Sequence, residues 1–547
     1  MNYLQKYFYP MQNCEEALVK FCELLNVKVT STSLKKDILE HPDYPSMLAI
    51  SDVLNNYHIE NLALKIGFEQ LLEIPTPCII QVKGEITPYP SFGIIENINN
   101  ADKEIEWYNP EHHKTEKISY ASLSKRFNGY VLAAEKDEHS IENNFAFKLK
   151  EQKRKSLINN LLIIAIPLLT FAISIVSIFY NGTTALLPVA YTIITLSGAL
   201  VSTLLILYEM DQYNPALQQI CHAGKKTNCG AILGTKASKI FGISWAAIGF
   251  TYFTGVLFSL LSTGIVNNNI LFIASWLNVF CLFYVPYSIV YQWKIAKQWC
   301  PLCLTVQGLL VLQFIVALAG GFHSMSLLGA VTVNSILLFL LFFALVFIAI
   351  QILIPALEKA KENKDNRLGL QRLKHNPQIF EALLSKQRRI TQSTDGLGIT
   401  IGNPKAKYTL IKVCNPYCGP CAKAHPVIED LLKNNDNVKV QIIFMSTDSE
   451  DDYRSKPVRH LMAIYEINKK ISLKALDEWY LADKKDYDIF ATKFPMNGEL
   501  ELQTDKIKDM FKWCNETKIV FTPTFFINGY QLPDMYSVAD LKYFLSV

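Results

Sequence analysis

Charge is what this sequence has least of. Of its 547 residues only 19% are Asp, Glu, Lys or Arg, half are hydrophobic, and the mean hydropathy is +0.16. Average soluble domains carry about 25% charged residues. So little charge argues against a disordered or collagen-like chain, and a wholly soluble enzyme is a poor fit. Net charge is also missing, since 53 Lys and Arg against 49 Asp and Glu leave +4. No basic stretch is interleaved with aromatics to follow a phosphate backbone, so no nucleic-acid partner is expected. The absence of any Gly-x4-Gly-Lys-Ser/Thr loop excludes an ATP-driven exporter. There is no internal repeat or low-complexity stretch. Residues 1–10 have no apolar run of signal-peptide length, so no cleaved leader is expected. Cysteine is scarce too: 12 thiols are few for a disulfide-stapled chain, but their spacing is uneven and informative.

Long apolar runs are what the chain has in excess. Residues 157–180, 185–208, 243–261, 270–291, 304–318 and 327–354 are nearly free of charge. Crossing a hydrocarbon core takes about 20 such residues, and buried core helices are generally shorter. About six spans are therefore expected, forming an all-α bundle. Both flanks carry ordinary charge density. Residues 15–25 and 44–57 pattern as helices, and 78–82 and 91–95 as short strands. After a charged helical connector, 358–376, a mixed α/β segment runs to the end. An even number of spans puts both flanks and the long loops 209–241 and 292–303 on one side.

The candidate chemistry is in the cysteines. Cys221 and Cys229 lie in the first long loop with seven residues between them. Cys300-Pro301-Leu302-Cys303 stands at the start of the fifth span. A two-residue gap at a helix N-terminus lets two sulfurs bond, and the helix dipole lowers the first thiol's pKa. The alternatives are a structural metal site or inert buried thiols, although the Cys221/Cys229 gap is too wide for half a zinc ribbon. Cys418-Gly419-Pro420-Cys421 follows an apolar strand, 408–413, and opens a helix, 421–432. Another strand, 437–446, is followed by about 75 residues before Thr522-Pro523-Thr524 and a strand-like 525–527. Strand, CxxC at a helix start and a Thr-Pro facing the cysteines together spell a thioredoxin fold with a cis proline. Cys418 is the expected exposed attacker, Cys421 the resolving thiol, and Thr522 and Pro523 the substrate-facing pair. Cys414 and Cys514 read as buried structural thiols, with a second disulfide between them as the other reading.

These residues carry resemblances. Residues 185–320 resemble the vitamin K epoxide reductase family: a four-helix bundle, the Cys-x7-Cys loop and Trp299-Cys300-Pro301-Leu302-Cys303 entering the last bundle helix. In bacterial members such a bundle is fused to a thioredoxin-like domain through one extra span. The resemblance implies that Cys300 and Cys303 stand next to a quinone of ubiquinone or menaquinone type, and that Cys221 and Cys229 shuttle electrons. It also implies a cofactor-contacting hydroxyl at Thr235, where the family usually has Ser. The helical insertion before Thr522 resembles that of DsbA-like oxidases. Residues 1–140 are similar to the papain-like peptidases that trim double-glycine leaders, with Cys14 at the nucleophile position. Glu15 replaces the family's Gly, Ser91-Phe92 stand where its His belongs, and Asn109-Pro110 replace Asp-Pro. A thiol without its base is a weak nucleophile, which implies a degenerate, peptide-binding domain. His112 and His113 read as solvated loop residues.

The expected organisation is a peptidase-like domain (1–140), a linker and extra span (141–184), the bundle (185–320), a last span and connector (321–376), and a thioredoxin-like domain (377–547). Its fold class is a multidomain membrane protein, an α-helical bundle flanked by an α+β papain-like and an α/β thioredoxin-fold domain. The expected function is a membrane thiol oxidase passing electrons from protein or peptide thiols through three cysteine pairs to a quinone, with no metal. Two competitors are a peptide-processing module serving an exporter and a reductase with reversed electron flow. The implied location is the bacterial inner membrane. A disulfide-forming face belongs in the periplasm. Against this, Lys148, Lys150, Lys153, Arg154, Lys155, Lys225, Lys226, Lys294 and Lys297 lie on that face, and the positive-inside rule would place it in the cytoplasm.

Overall fold

The computed structural model describes residues 11–84, 90–138, 140–212, 214–221, 227–433 and 435–545. Lys225 and Lys226 lie outside the described residues. Two units separate, Met1–Leu39 with Asp43–Arg367 and Glu40–Pro42 with Leu368–Val547.

The first unit begins with α1 (Asn13–Leu24), α2 (Ser31–Leu39) and α3 (Met47–Asn56). In α1 the apolar residues Cys14, Ala17, Leu18, Phe21 and Cys22 recur at the spacing of one helix face and are buried. Ser46 caps α3 by accepting the Ala49 N–H at 3.0 Å. The strands β1 (Ile59–Lys65), β2 (Cys78–Val82), β3 (Ser91–Asn99), β4 (Glu104–Asn109), β5 (Lys114–Ser119) and β6 (Phe127–Lys136) form one antiparallel sheet, ordered β1-β6-β2-β3-β4-β5. β1 and β5 are the edges and carry exposed polar residues, which is why alternation did not announce them.

Among the described residues five continuous helical segments are long and apolar enough to cross a membrane. The first, Phe145–Met210, is two helices, α4 (Phe145–Asn181) and α5 (Leu186–Met210), split by a single 3-10 turn at Gly182–Ala185. At 37 and 25 residues, each exceeds the roughly 20 residues a span requires. The other four are α6 (Trp245–Thr263), a broken helix Asn268–Ala296 beginning with α7 (Asn268–Leu282), α8 (Pro301–Ala319) and α9 (Val333–Lys374). One expected boundary is corrected. The last apolar run begins within a 3-10 turn, Met325–Ala330, and α9 starts only where the Thr332 hydroxyl accepts the Ser335 N–H at 3.2 Å. The charged connector is helical, and α9 runs through Pro355 into it as far as Lys374. α5 packs on both α6 and α8. Gly198 of α5 lies against the Phe253 ring of α6, where a Cβ would overlap it.

In the second unit a five-stranded sheet has the order β11-β10-β8-β9-β7, with β7 (Ile399–Gly402), β8 (Tyr408–Cys414), β9 (Val438–Phe444), β10 (Thr524–Ile527) and β11 (Tyr530–Gln531). β8 and β9 are parallel and the other pairings antiparallel. The crossover from β8 to β9 is α10 (Gly419–Lys433). Between β9 and β10 stand α11 (Ser455–Ile467), α12 (Lys469–Tyr480), the short helix Tyr487–Lys493 and α13 (Thr504–Glu516). The Thr522-Pro523 bond is cis, as the motif predicted.

Candidate functional site

The membrane site is assembled at one end of α8. Cys300 caps this helix and Pro301 is its first residue, a position that needs no N–H. The Cys303 N–H donates to the Cys300 sulfur at 3.2 Å. The Cys300 N–H donates to Oε1 of Gln292 at 2.9 Å. Gln292 lies in a π-helical turn, Tyr291–Ala296, and is fully buried. Its Nε2 donates to Ser288 Oγ at 3.2 Å, and Gln307 Nε2 donates to the same hydroxyl at 2.6 Å. Thus Cys300 is held by a chain of amides and is itself sealed.

The loop cysteines come to the same place. Cys221 ends the short helix Pro215–Cys221 and is disulfide-bonded to Cys229. Thr227 pairs with Trp299 in a parallel bridge, and the Asn228 N–H donates to the Trp299 carbonyl at 3.0 Å. The bridge sets residues 227–229 alongside 299–300, and Cys221, Cys229 and Cys300 share one buried cluster. Cys303, half-buried, opens instead onto a cavity walled by Trp245, Tyr284, Tyr287, Tyr291 and Val306. The Trp245 and Tyr284 rings lie 4.4 Å apart, inclined at 31°. Thr235 is not among the lining residues; its hydroxyl donates to the Ile232 carbonyl at 2.8 Å. The serine hydroxyls on the wall belong to Ser238 and Ser288.

In the second unit Cys418 immediately precedes α10. Its sulfur accepts the Cys421 N–H at 3.3 Å, and its thiol donates to the Thr522 carbonyl at 3.3 Å. Cys418 is half-buried and Cys421 sealed. Burial, with Cys414 nearby, raises the Cys421 thiol above its ordinary value. That suits a resolving thiol. Exposed Phe521 and Tyr453 flank this end, and Pro523 lines a groove with Phe521, Gln531 and Leu532. Cys414 and Cys514 are free and buried, and burial pushes Cys514 up to about 12.

In the amino-terminal region Asn13 ties α1 to β3: its Nδ2 donates to the Phe92 carbonyl at 2.9 Å and its Oδ1 accepts the Phe92 N–H at 2.6 Å. Cys14 is thereby set near the start of β3, where Ser91 and Phe92 offer no base. Burial, then Glu15, push its thiol up to about 12. Asn109 donates to Glu116 at 2.5 Å and contacts the ring of exposed His112 at 3.3 Å. The reading of His113 as solvated is corrected: its Nδ1 sits 2.5 Å from Glu16 on α1, with 15% of its side chain exposed.

Sequence reasoning missed Gln292, the aromatic slot and Lys412. A lysine inside the apolar strand Leu410-Ile411-Lys412-Val413 was the one visible signal.

Comparison with known proteins follows this division. Residues 16–139 match the peptidase C39 family, 189–318 the vitamin K epoxide reductase family and 394–546 thioredoxin. No curated protein matches. Among solved structures, a periplasmic thioredoxin-like protein from Salmonella enterica serovar Typhimurium shares 15% identity over 30% of this chain and 96% of its own, with a TM-score of 0.24. BdbD from Bacillus subtilis shares 12% over 29% and 93%, with a TM-score of 0.24. A double glycine motif protease from an AMS/PCAT transporter, solved with a leader peptide, shares 19% over 23% and 85%, with a TM-score of 0.20. By its family matches and its apolar helices the chain is a multi-pass membrane thiol–disulfide oxidoreductase that joins, in order, a peptidase C39 domain, a vitamin K epoxide reductase-family domain and a thioredoxin-like domain.

Proposed function

We propose that the protein oxidises thiol pairs of protein or peptide substrates and passes the electrons through three cysteine pairs to a quinone. The observation that carries this reading is the seating of the Cys221–Cys229 disulfide against Trp299-Cys300. A substrate thiolate attacks Cys418, and the bond to Cys421 breaks. The substrate's second thiolate then releases Cys418, leaving the soluble pair reduced. Cys418 next attacks the loop disulfide through a mixed disulfide, with Cys421 resolving it. The loop dithiol in turn reduces the Cys300–Cys303 disulfide. Cys303, on the cavity wall, is the sulfur that meets the acceptor.

The cavity suits a flat, largely apolar ring: Trp245, Tyr284, Tyr287 and Tyr291 make its walls aromatic, and Ser238, Ser288 and the tyrosines are the hydroxyl-bearing residues that line it. A bound quinone, of ubiquinone or menaquinone type, would supply a two-electron acceptor there. Thr235 remains a contributor to that site by family resemblance only. The cysteine and Thr-Pro assignments, the five-part division of the chain and an inner-membrane location with a periplasmic redox face belong to the same proposal. Redox trapping of the six cysteines with and without quinone tests it. Trapped pairs that ignore added quinone would sink the oxidase reading, and reduction of substrate disulfides by the soluble pair would favour the reversed flow.

The peptidase C39 match favours a second role, presentation of peptides to the redox domains alongside an exporter. Ser91-Phe92 stand where the family's His belongs, and burial pushes the Cys14 thiol up, which favours binding over cleavage.

A further inference from the structure

Beneath the Cys418–Cys421 centre lies a lysine with no exposed surface. Lys412 is on β8, and its Nζ donates to the Cys421 carbonyl at 3.2 Å and stands 4.5 Å from the centroid of the Tyr480 ring. Among the described residues no carboxylate forms an ion pair with it, and Asp477 on α12 is engaged with His425 at 2.7 Å. Tyr480 OH in turn lies 3.1 Å from the Cys414 sulfur. A cation sealed in a core normally needs an anion, and removing one partner of a buried pair is costly. Among the described residues the Cys421 carbonyl and the Tyr480 ring face are the contacts its ammonium makes, and both favour a cation without neutralising it.

We propose that Lys412 is a positioning residue whose ammonium serves as counter-charge to the thiolate released at Cys421 when the soluble disulfide opens. The proposal rests on the thiol-exchange function given above. When a substrate thiolate bonds to the Cys418 sulfur, the Cys418–Cys421 bond breaks and its electron pair stays on Cys421. Lys412 faces that sulfur's own backbone from below. A second substrate thiolate then displaces Cys418, so two electrons have entered the centre. The substrate's two protons end on the centre's sulfurs or in water. In the disulfide state the ammonium has no thiolate to pair with. The lysine therefore favours the reduced form and makes the centre a stronger oxidant. The titratable groups that interact with it are Cys414 on β8, His425 on α10 and Tyr480 on α12; Asp477 and Glu429 act in turn on His425, Cys418 on Lys485, and Cys414 on Cys514 of α13.

The test equilibrates the full-length protein, without oxygen, in glutathione buffers of stepped ratio. Differential alkylation and mass spectrometry then read the Cys418/Cys421 dithiol fraction. Lys412→Met removes charge and hydrogen bond, whereas Lys412→Gln keeps a donor for the Cys421 carbonyl. Both variants should shift the equilibrium toward the disulfide about tenfold, which is about 30 mV for a two-electron couple. An unchanged equilibrium in both overturns the proposal. So does a shift in Met with none in Gln, because the role is then the hydrogen bond alone. Should Met fail to fold, Gln decides by the same readout. A centre that fails to cycle in the unsubstituted chain overturns the function as well, whereas one that cycles and ignores Lys412 overturns only this inference.

Discussion

In the membrane pair Cys300 is sealed and Cys303 opens on a cavity, whereas in the soluble pair Cys418 is half-exposed and Cys421 is sealed. The local geometry is nevertheless the same. In each, the N–H of the second cysteine points at the first sulfur, at 3.2 and 3.3 Å. A CxxC at a helix start fixes that arrangement, because the first turn has N–H groups to spare. What packs around the motif fixes the rest. Gln292 and the loop disulfide crowd Cys300, while Lys412 and the buried Cys414 lie beneath Cys421. The same four-residue device thus presents its second sulfur in one place and its first in the other.

Exchanging the outward sulfurs should break this comparison most completely. Cys303→Ser is expected to reduce quinone reduction, followed by absorbance, to background while the soluble pair still exchanges with a small dithiol. Cys418→Ser should abolish exchange at the soluble pair and substrate-driven quinone reduction together, while a loop pair reduced by a small dithiol still passes its electrons to the quinone. Next, Cys421→Ser should trap a mixed disulfide between Cys418 and Cys221 or Cys229, seen as an internal crosslink after proteolysis. The trap should vanish when both loop cysteines are Ser, and a direct link from Cys418 to Cys300 or Cys303 would refute the shuttle. A smaller effect is expected from Gln292→Leu, which leaves the buried Cys300 N–H without its acceptor. Such a loss costs about 1–3 kcal/mol, to be read as a lower Tm with slower quinone reduction and unchanged exchange at Cys418.

Acid should separate the units more gently. Burial holds His425 and His460 of the soluble unit below the ordinary imidazole value. The unfolded chain then binds protons that the folded one refuses. Their contribution is complete above the unfolded-state value of about 6.5 and is lost as pH falls from there through the lower folded-state values. Denaturant midpoints between pH 8 and about 5 measure it, and replacing both by Gln should flatten the slope. The smallest effect is none. A double-glycine leader peptide should stay intact with the full-length protein, and a cut abolished by Cys14→Ala would overturn the inactive reading.

Much of the architecture was legible because it rests on local rules. Apolar runs of spanning length mark helices wherever they fold, and a CxxC before a helix followed by a distant Thr-Pro admits few arrangements. The misreadings lie where no local rule acts. His113 is a turn residue that reads as solvated from its sequence neighbours, because its partner Glu16 is 97 positions away. A count of residues places a hydroxyl at Thr235 but does not say which hydroxyls reach a cavity wall, where Ser238 and Ser288 stand. The edge strands β1 and β5 were missed because an edge strand need not alternate.

The sequence by itself determined the three domains, their order, the membrane bundle and the six cysteines, since each follows from spacing and hydropathy along the chain. Only the tertiary structure decided the direction each cysteine pair faces, the seating of the loop disulfide beside Cys300, the aromatic slot at Cys303 and the burial of Lys412. These depend on contacts between segments far apart in sequence. Burial and the charge it leaves without a partner are properties of that packing, and no single stretch of chain carries them.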